Sequence, residues 1–300
     1  MSNMVTNHPH PLTLGMHVIE IDGVKQVYHV AGTGNGPVCI VHSGGPGMNW
    51  KSTEMPLLEQ TMTMVYLEPV GTGNSGFLPD TDYSMPRYAY FAHKVVEHLG
   101  TGLRPYFIGQ SHGGFVGLQY ALDYPDELGG LILFSTAPLM NSELFEEMLR
   151  GLEKFVERYP DKPEAADTIP AFKAFMDGSI KDKETYMATL DLLLPAYFGN
   201  YWNLPPGLEE WKATVDFTMT ERADSPFDVR DVLDTILTRT LILVGEYDFC
   251  TGPRWAKEMA EKIPSSQIHT FEKGGHMSHF EHAQEFMNVV NDFVFLEIKK

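Results

Sequence analysis

The chain is poor in cysteine, with two in 300 residues, Cys39 and Cys250. Two isolated thiols cannot build the disulfide framework of a small secreted domain, so a reducing, cytoplasmic setting is expected. Positive charge is also scarce. Lys and Arg number 22 against 40 Asp and Glu, a formal net charge of −18. Nucleic acid and anionic membrane both demand a basic surface, and neither is expected as a partner. No apolar run approaches the roughly 20 residues of a membrane span. Residues 1–15 lack the basic start and apolar stretch of a secretion signal. There is no internal repeat, no low-complexity tract and no G-x-x-x-x-G-K phosphate loop.

What the chain has is apolar mass. Hydrophobic residues make up 43%, enough for a large core in one α/β domain carrying an insertion. After a loose arm at residues 1–13, residues 16–21 and 26–31 alternate as strands around Asp22-Gly23, a hairpin turn signal. Residues 37–42 and 62–67 are short apolar runs of the kind that form buried parallel strands. Ser84-Met85-Pro86 opens a helix in which Tyr88, Phe91, Val95 and Leu99 share one face, and residues 100–102 end it. A strand at 105–110, a helix to about residue 124 and a strand at 131–134 follow.

Strands alternating with helices at this rhythm predict a mostly parallel, twisted sheet with helices on both faces. The rhythm breaks between residues 138 and 231, where no apolar strand run occurs. Helical stretches at 144–159, 171–176 and 183–194 come with many aromatics, among them Phe145, Phe155, Tyr159, Tyr197, Trp202, Trp211 and Phe217. The expected organisation is a core of residues 1–137 and 232–300, with residues 138–231 inserted as a helical cap. The rhythm resumes with a strand at 240–245, a helix at 255–262, a strand at 267–271 and a last helix at 281–296.

The stretch with most chemical content is Ile108-Gly109-Gln110-Ser111-His112-Gly113-Gly114. An apolar run ends in Gly-x-Ser-x-Gly and a helix follows, the context a nucleophile elbow requires. A serine on so sharp a turn needs neighbours without Cβ atoms, which Gly109 and Gly113 supply. Alone, the motif is five loose positions. A nucleophilic Ser111 also needs a base, an acid to orient it and donors for an oxyanion, with the acid and then the histidine downstream.

Asp248 sits just past the resumed strand, where a carboxylate can reach the strand ends. Glu246 is its local rival, as sheet-end structure or a ligand contact, and Asp248 could equally be a helix cap. His276 follows two glycines on a loop between strand and helix, with His279 and His282 as rivals. The three histidines lie three residues apart, but no Cys or carboxylate set stands at zinc spacing, so no metal is expected. His42-Ser43-Gly44-Gly45-Pro46-Gly47 is a glycine-rich loop after a buried strand. The N–H of Gly45, with Gly44 as rival, pairs with that of His112 as the expected oxyanion hole. Gly71-Thr72-Gly73-Asn74-Ser75-Gly76 matches a dinucleotide fingerprint, but Phe77-Leu78-Pro79-Asp80 follows where a helix must start. No cofactor is therefore expected.

With these residues in place, the chain resembles the α/β-hydrolase superfamily across nearly its whole length. More narrowly it resembles the proline iminopeptidase group of serine peptidases. The carriers are the 42–47 loop, Gly109 to Gly114, Gly245-Glu246-Tyr247-Asp248 and Gly275-His276. The resemblance implies a catalytic triad of Ser111, Asp248 and His276, an oxyanion hole from Gly45 and His112, and a helical cap over the site. The group usually has Asp-Gln-Arg-Gly where this chain has Glu68-Pro69-Val70-Gly71. Its cap glutamate, which grips a free α-amino group, has its nearest counterpart in Asp216 of Asp216-Phe217-Thr218. Some members carry an acid where this chain has Phe249. Asp216, Trp202 and Phe249 are thus the candidate substrate contacts.

The expected activity is hydrolysis of a small amide or ester through an acyl-enzyme, with a small molecule or short peptide as substrate. Removal of an N-terminal residue competes with cleavage of an apolar ester or lactone. Outside hydrolysis, this fold also serves C–C bond cleavage and ligand reception.

Overall fold

A computed structural model describes residues 10–100, 102, 104–223 and 225–295. Most of the arm expected at 1–13, and the end of the last helix at Leu296, lie outside the described residues.

The chain opens with β1 (Gly15–Ile21) and β2 (Val24–Gly32). They are joined at Asp22 and Gly23, both with positive φ, 52° and 78°, as a two-residue hairpin turn demands. Next come β3 (Val38–His42), β4 (Thr63–Glu68), α1 (Met85–Leu99), β5 (Tyr106–Gln110), α2 (His112–Asp123) and β6 (Gly130–Phe134). The chain then leaves the sheet through β7 (Leu139–Met140), α3 (Ser142–Arg158), α4 (Pro163–Met176), α5 (Lys183–Leu193), α6 (Leu208–Lys212) and β8 (Phe227–Asp228). It returns with β9 (Thr240–Gly245), α7 (Pro253–Lys262) and β10 (Ser266–Phe271), and closes with α8 (Ser278–Glu281) and α9 (Ala283–Phe295).

Eight strands form one sheet in the order β1-β2-β4-β3-β5-β6-β9-β10. β1 pairs antiparallel with β2, and β2 antiparallel with β4; every other neighbour is parallel. This is the mostly parallel sheet the rhythm predicts. Side chains of a strand alternate between faces. Accordingly Ile40, Phe107, Leu131 and Ile242 pack with α1 and α2 on one face. Val41, Ile108, Phe134 and Leu243 pack with Phe286 and Val290 of α9 on the other. Tyr88, Phe91, Val95 and Leu99 of α1 are all buried, as their spacing requires.

Two details differ from the sequence expectation. The region between β6 and β9 contains a strand pair, β7 with β8, each too short to give an alternating signal. The last helix is two pieces, because His282 (φ −122°, ψ 39°) leaves helical geometry between α8 and α9. Among the described residues, no helix is long and apolar enough to cross a membrane.

Candidate active site

Parallel strands present their C-terminal ends along one edge of a sheet, where α/β proteins place their sites. The loops that follow β3, β5, β9 and β10 carry Gly44 and Gly45, Ser111, Asp248, and His276.

Ser111 sits between β5 and α2 with φ 50° and ψ −114°, a conformation a non-glycine residue holds only when its surroundings enforce it. Its N–H donates to the Phe134 carbonyl at 3.1 Å, and its carbonyl accepts the Thr136 hydroxyl at 2.7 Å. The flanking glycines are required by contact. A Cβ on Gly109 would collide with the Gly113 carbonyl, and one on Gly113 with the His42 carbonyl. The N–H groups of Gly44, Gly45 and His112 have no hydrogen-bond partner among the described residues. Gly44 is the closer of the two loop glycines to the serine: a Cβ there would lie 3.2 Å from the Ser111 Cβ. One at Gly45 (φ 58°) would meet the Met48 side chain instead.

Asp248 and His276 are buried and meet. The His276 Nδ1 lies 3.0 Å from each carboxylate oxygen of Asp248. That carboxylate also accepts the N–H groups of Cys250 at 2.8 Å and Thr251 at 3.0 Å, and the Thr251 hydroxyl at 3.2 Å. Burial alone would raise its pKa, but His276 and these donors outweigh burial and hold the carboxyl below its ordinary value. The rivals are otherwise engaged. Glu246 accepts the Lys273 N–H at 2.8 Å, which makes it sheet-end structure. His279 bonds the Ser52 carbonyl at 3.1 Å, and His282 stacks on Phe271. No cluster of metal-ligating side chains occurs among the described residues.

Ser111 and His276 line one cavity, roughly 650 Å³ of space partly open to solvent. Gly44, Gly45, Met48, Ser52, Gln110, Cys250 and Met277 contribute to it from the sheet side. Tyr186, Leu190, Leu194, Tyr197, Trp211 and Val215 contribute from the helical region. Among these described lining residues there is no carboxylate, lysine or arginine. The Tyr186 and Tyr197 hydroxyls have no hydrogen-bond partner among the described residues. Burial pushes Tyr186 up to about 12 and keeps Tyr197 and the Cys250 thiol well above their ordinary values. All three are therefore neutral donors.

The three expected substrate contacts lie elsewhere. Phe249, next to the site in sequence, is buried with Leu152, Phe155 and Phe172 and anchors the helices to the sheet. Trp202 stacks on Phe155 and packs at a tilt against Tyr159 within the helical region. The Asp216 carboxylate is more than half exposed, ion-paired with Lys183, and faces a separate, polar hollow with His29, Trp50 and Glu68. Tyr186, Leu190 and Leu194 escaped the sequence reading, although their spacing of four on one helical face is a visible signal. The glycine-rich 71–76 loop folds around the Glu68 carboxylate, which accepts the Asn74 N–H at 2.5 Å.

Comparison with known proteins places the chain in a family. A sequence model described as the alpha/beta hydrolase fold matches residues 36–283. A 2-hydroxy-6-oxo-2,4-heptadienoate hydrolase from Pseudomonas putida is 25% identical over 92% of this chain and 94% of its own. Proline iminopeptidase PfmaB from Pestalotiopsis fici is 23% identical over 88% of this chain and 93% of its own. The crystal structure of VinJ superposes with a TM-score of 0.73 at 20% identity, covering 93% of this chain and 98% of that one.

Proposed function

The chain belongs to the α/β-hydrolase superfamily, and we propose that it is a serine hydrolase acting on a small, uncharged, largely apolar ester or amide. Ser111 is the nucleophile. His276, held by Asp248 through Nδ1, takes the serine proton on Nε2 as Oγ attacks the carbonyl. The unpartnered N–H groups of His112 and Gly44 or Gly45 receive the oxyanion. His276 then returns the proton to the leaving group, and water, activated by the same imidazole, releases the acid from the acyl-enzyme. The helical region acts as a cap that supplies the apolar wall and the two free tyrosine hydroxyls.

The observation that carries the substrate class is that the described residues lining the cavity beside Ser111 include no carboxylate, lysine or arginine. An N-terminal residue brings an ammonium and a dienoate brings a carboxylate. Burying either without a counter-charge costs several kcal/mol. The iminopeptidase and C–C hydrolase relatives thus share the scaffold, while the pocket favours a neutral substrate. Turnover of p-nitrophenyl butyrate and of proline β-naphthylamide tests this, with Ser111→Ala as control. The ester is expected to be hydrolysed and the naphthylamide not. Ser111→Ala is expected to lower kcat about 10⁴-fold or more. Turnover of the naphthylamide alone would overturn the ester assignment; full activity in Ser111→Ala would overturn the nucleophile.

A further inference from the structure

A half-buried carboxylate just behind the site is not used in that mechanism. Glu281, at the end of α8, sends one oxygen to the Gly275 N–H at 2.7 Å and the other to the Gly199 N–H at 2.8 Å. Gly275 precedes His276 in the loop after β10. Gly199 belongs to segment 197–200 of the helical region, 82 residues away in sequence from Glu281. The two backbones are in direct contact. A Cβ on Gly275 would lie 2.6 Å from the Gly199 nitrogen, and one on Gly199 would collide with the Lys273 carbonyl. The Met277 N–H reaches the Tyr197 carbonyl at 3.2 Å, and the Tyr159 hydroxyl donates to the Gly199 carbonyl. Tyr197 in turn packs edge-on against the His276 ring, 5.4 Å between centroids.

We propose that Glu281 is a positioning residue for the reaction: its ionised carboxylate clips the His276 loop to segment 197–200. The inference rests on the reading of His276 as the general base. A carboxylate accepts on both oxygens, as this geometry requires. A protonated acid carries a hydroxyl on one of them, which is a donor facing a donor, so one side of the clip opens. The ring of His276 then loses the support that holds its Nε2 towards Ser111.

The surroundings make this ionisation sensitive to pH. Burial, and then the charge of Asp248, push Glu281 up, while the N–H groups of Gly275, Gly199 and Asn200 pull it down; the balance lies at about 7. The other titratable groups nearby are His276, Tyr197 and Tyr159, with Lys273 turned out to Glu272 and His282 towards Glu285. Among these described neighbours there is no cation paired with Glu281.

The test is the pH dependence of phenyl butyrate hydrolysis for the wild type, Glu281→Gln and Ser111→Ala. In the wild type, kcat/KM falls on acidification more steeply than tenfold per pH unit around pH 7, because His276 must be neutral and protonation of Glu281 costs about a further tenfold. In Glu281→Gln the slope becomes about one. At about pH 8, kcat falls about tenfold with KM changed less than about twofold, since orientation of the base acts in the transition state. A wild-type slope of one, or a Glu281→Gln profile and kcat matching the wild type, overturns the proposal. Loss of activity in Ser111→Ala keeps that result separate from failure of the nucleophile. If Glu281→Gln does not fold, the His276 ring signals of 15N-histidine-labelled wild type decide. Two titration steps support the clip, and a single step overturns it.

Discussion

The Nδ1 of His276 stands equidistant, at 3.0 Å, from the two carboxylate oxygens of Asp248. Both oxygens are also held by other donors, two backbone N–H groups and the Thr251 hydroxyl. The carboxylate is thus fixed before it meets the imidazole, and in the proposed mechanism it keeps a proton on Nδ1 and leaves Nε2 to act as the base.

Asp248→Asn is expected to preserve most of this geometry but to present the wrong partner to Nδ1. An amide NH₂ facing the ring favours the tautomer whose Nε2 carries the proton, which cannot accept from Ser111. A loss of kcat of about three to four orders of magnitude is expected, with a small change in KM. Steady-state kinetics with p-nitrophenyl butyrate measures it. A loss below about tenfold would assign Asp248 to structure alone.

Phe249 distinguishes a packing role from a contact role. Its side chain is 3% exposed and sits among Leu152, Phe155 and Phe172. Phe249→Ala removes a ring that joins the helices to the sheet and is expected to cost about 3–5 kcal/mol of stability. Urea unfolding monitored by circular dichroism reads that loss. Unchanged stability together with a raised KM would make Phe249 a substrate contact instead.

These cases show what the sequence carries and what it does not. Ser111, Asp248 and His276 each stand in a short local pattern at a strand end, and glycines betray the turns because the backbone there tolerates no Cβ. The sheet followed from strand rhythm for the same reason: periodicity is local. The cavity wall is another matter. Tyr186 and Trp211 face the same space only after the helical region docks, and Trp202 faces its own helices although its composition looked equally suited to a pocket. The partnership of Glu281 with Gly199 spans 82 residues and depends on backbone approach, which leaves no periodic trace.

Asp216 tests the amine-binding expectation directly. Its carboxylate pairs with Lys183 at an exposed position, 55% and 54% accessible respectively. Exposed pairs contribute about 0–1 kcal/mol. Asp216→Asn is expected to leave the midpoint of urea unfolding nearly unchanged and kcat/KM for neutral esters within about twofold. A selective loss on aminoacyl substrates of about tenfold or more, with esters unaffected, would restore an amine-anchoring role.

Glu281 sets function against stability, and the sign can be worked out. Its folded pKa is raised, from 4.5 to about 7, so between these values the folded chain holds a proton that the unfolded chain has released. Stability from this group is therefore greatest at low pH and declines as pH rises from about 4.5 to about 7, levelling off above. The full effect is on the order of 3 kcal/mol. Asp248 runs the other way: its lowered pKa contributes stability above 3.8 that is lost as pH falls through its folded value. Subtracting the unfolding free energy of the wild type from that of Glu281→Gln isolates the first effect. The difference is expected to rise in favour of the variant across about pH 4.5 to 7 and to stay flat on either side. A pH-independent difference would mean that Glu281 has the same proton affinity in both states. The rise would mean that burial delays ionisation of the carboxylate that positions His276 until about pH 7.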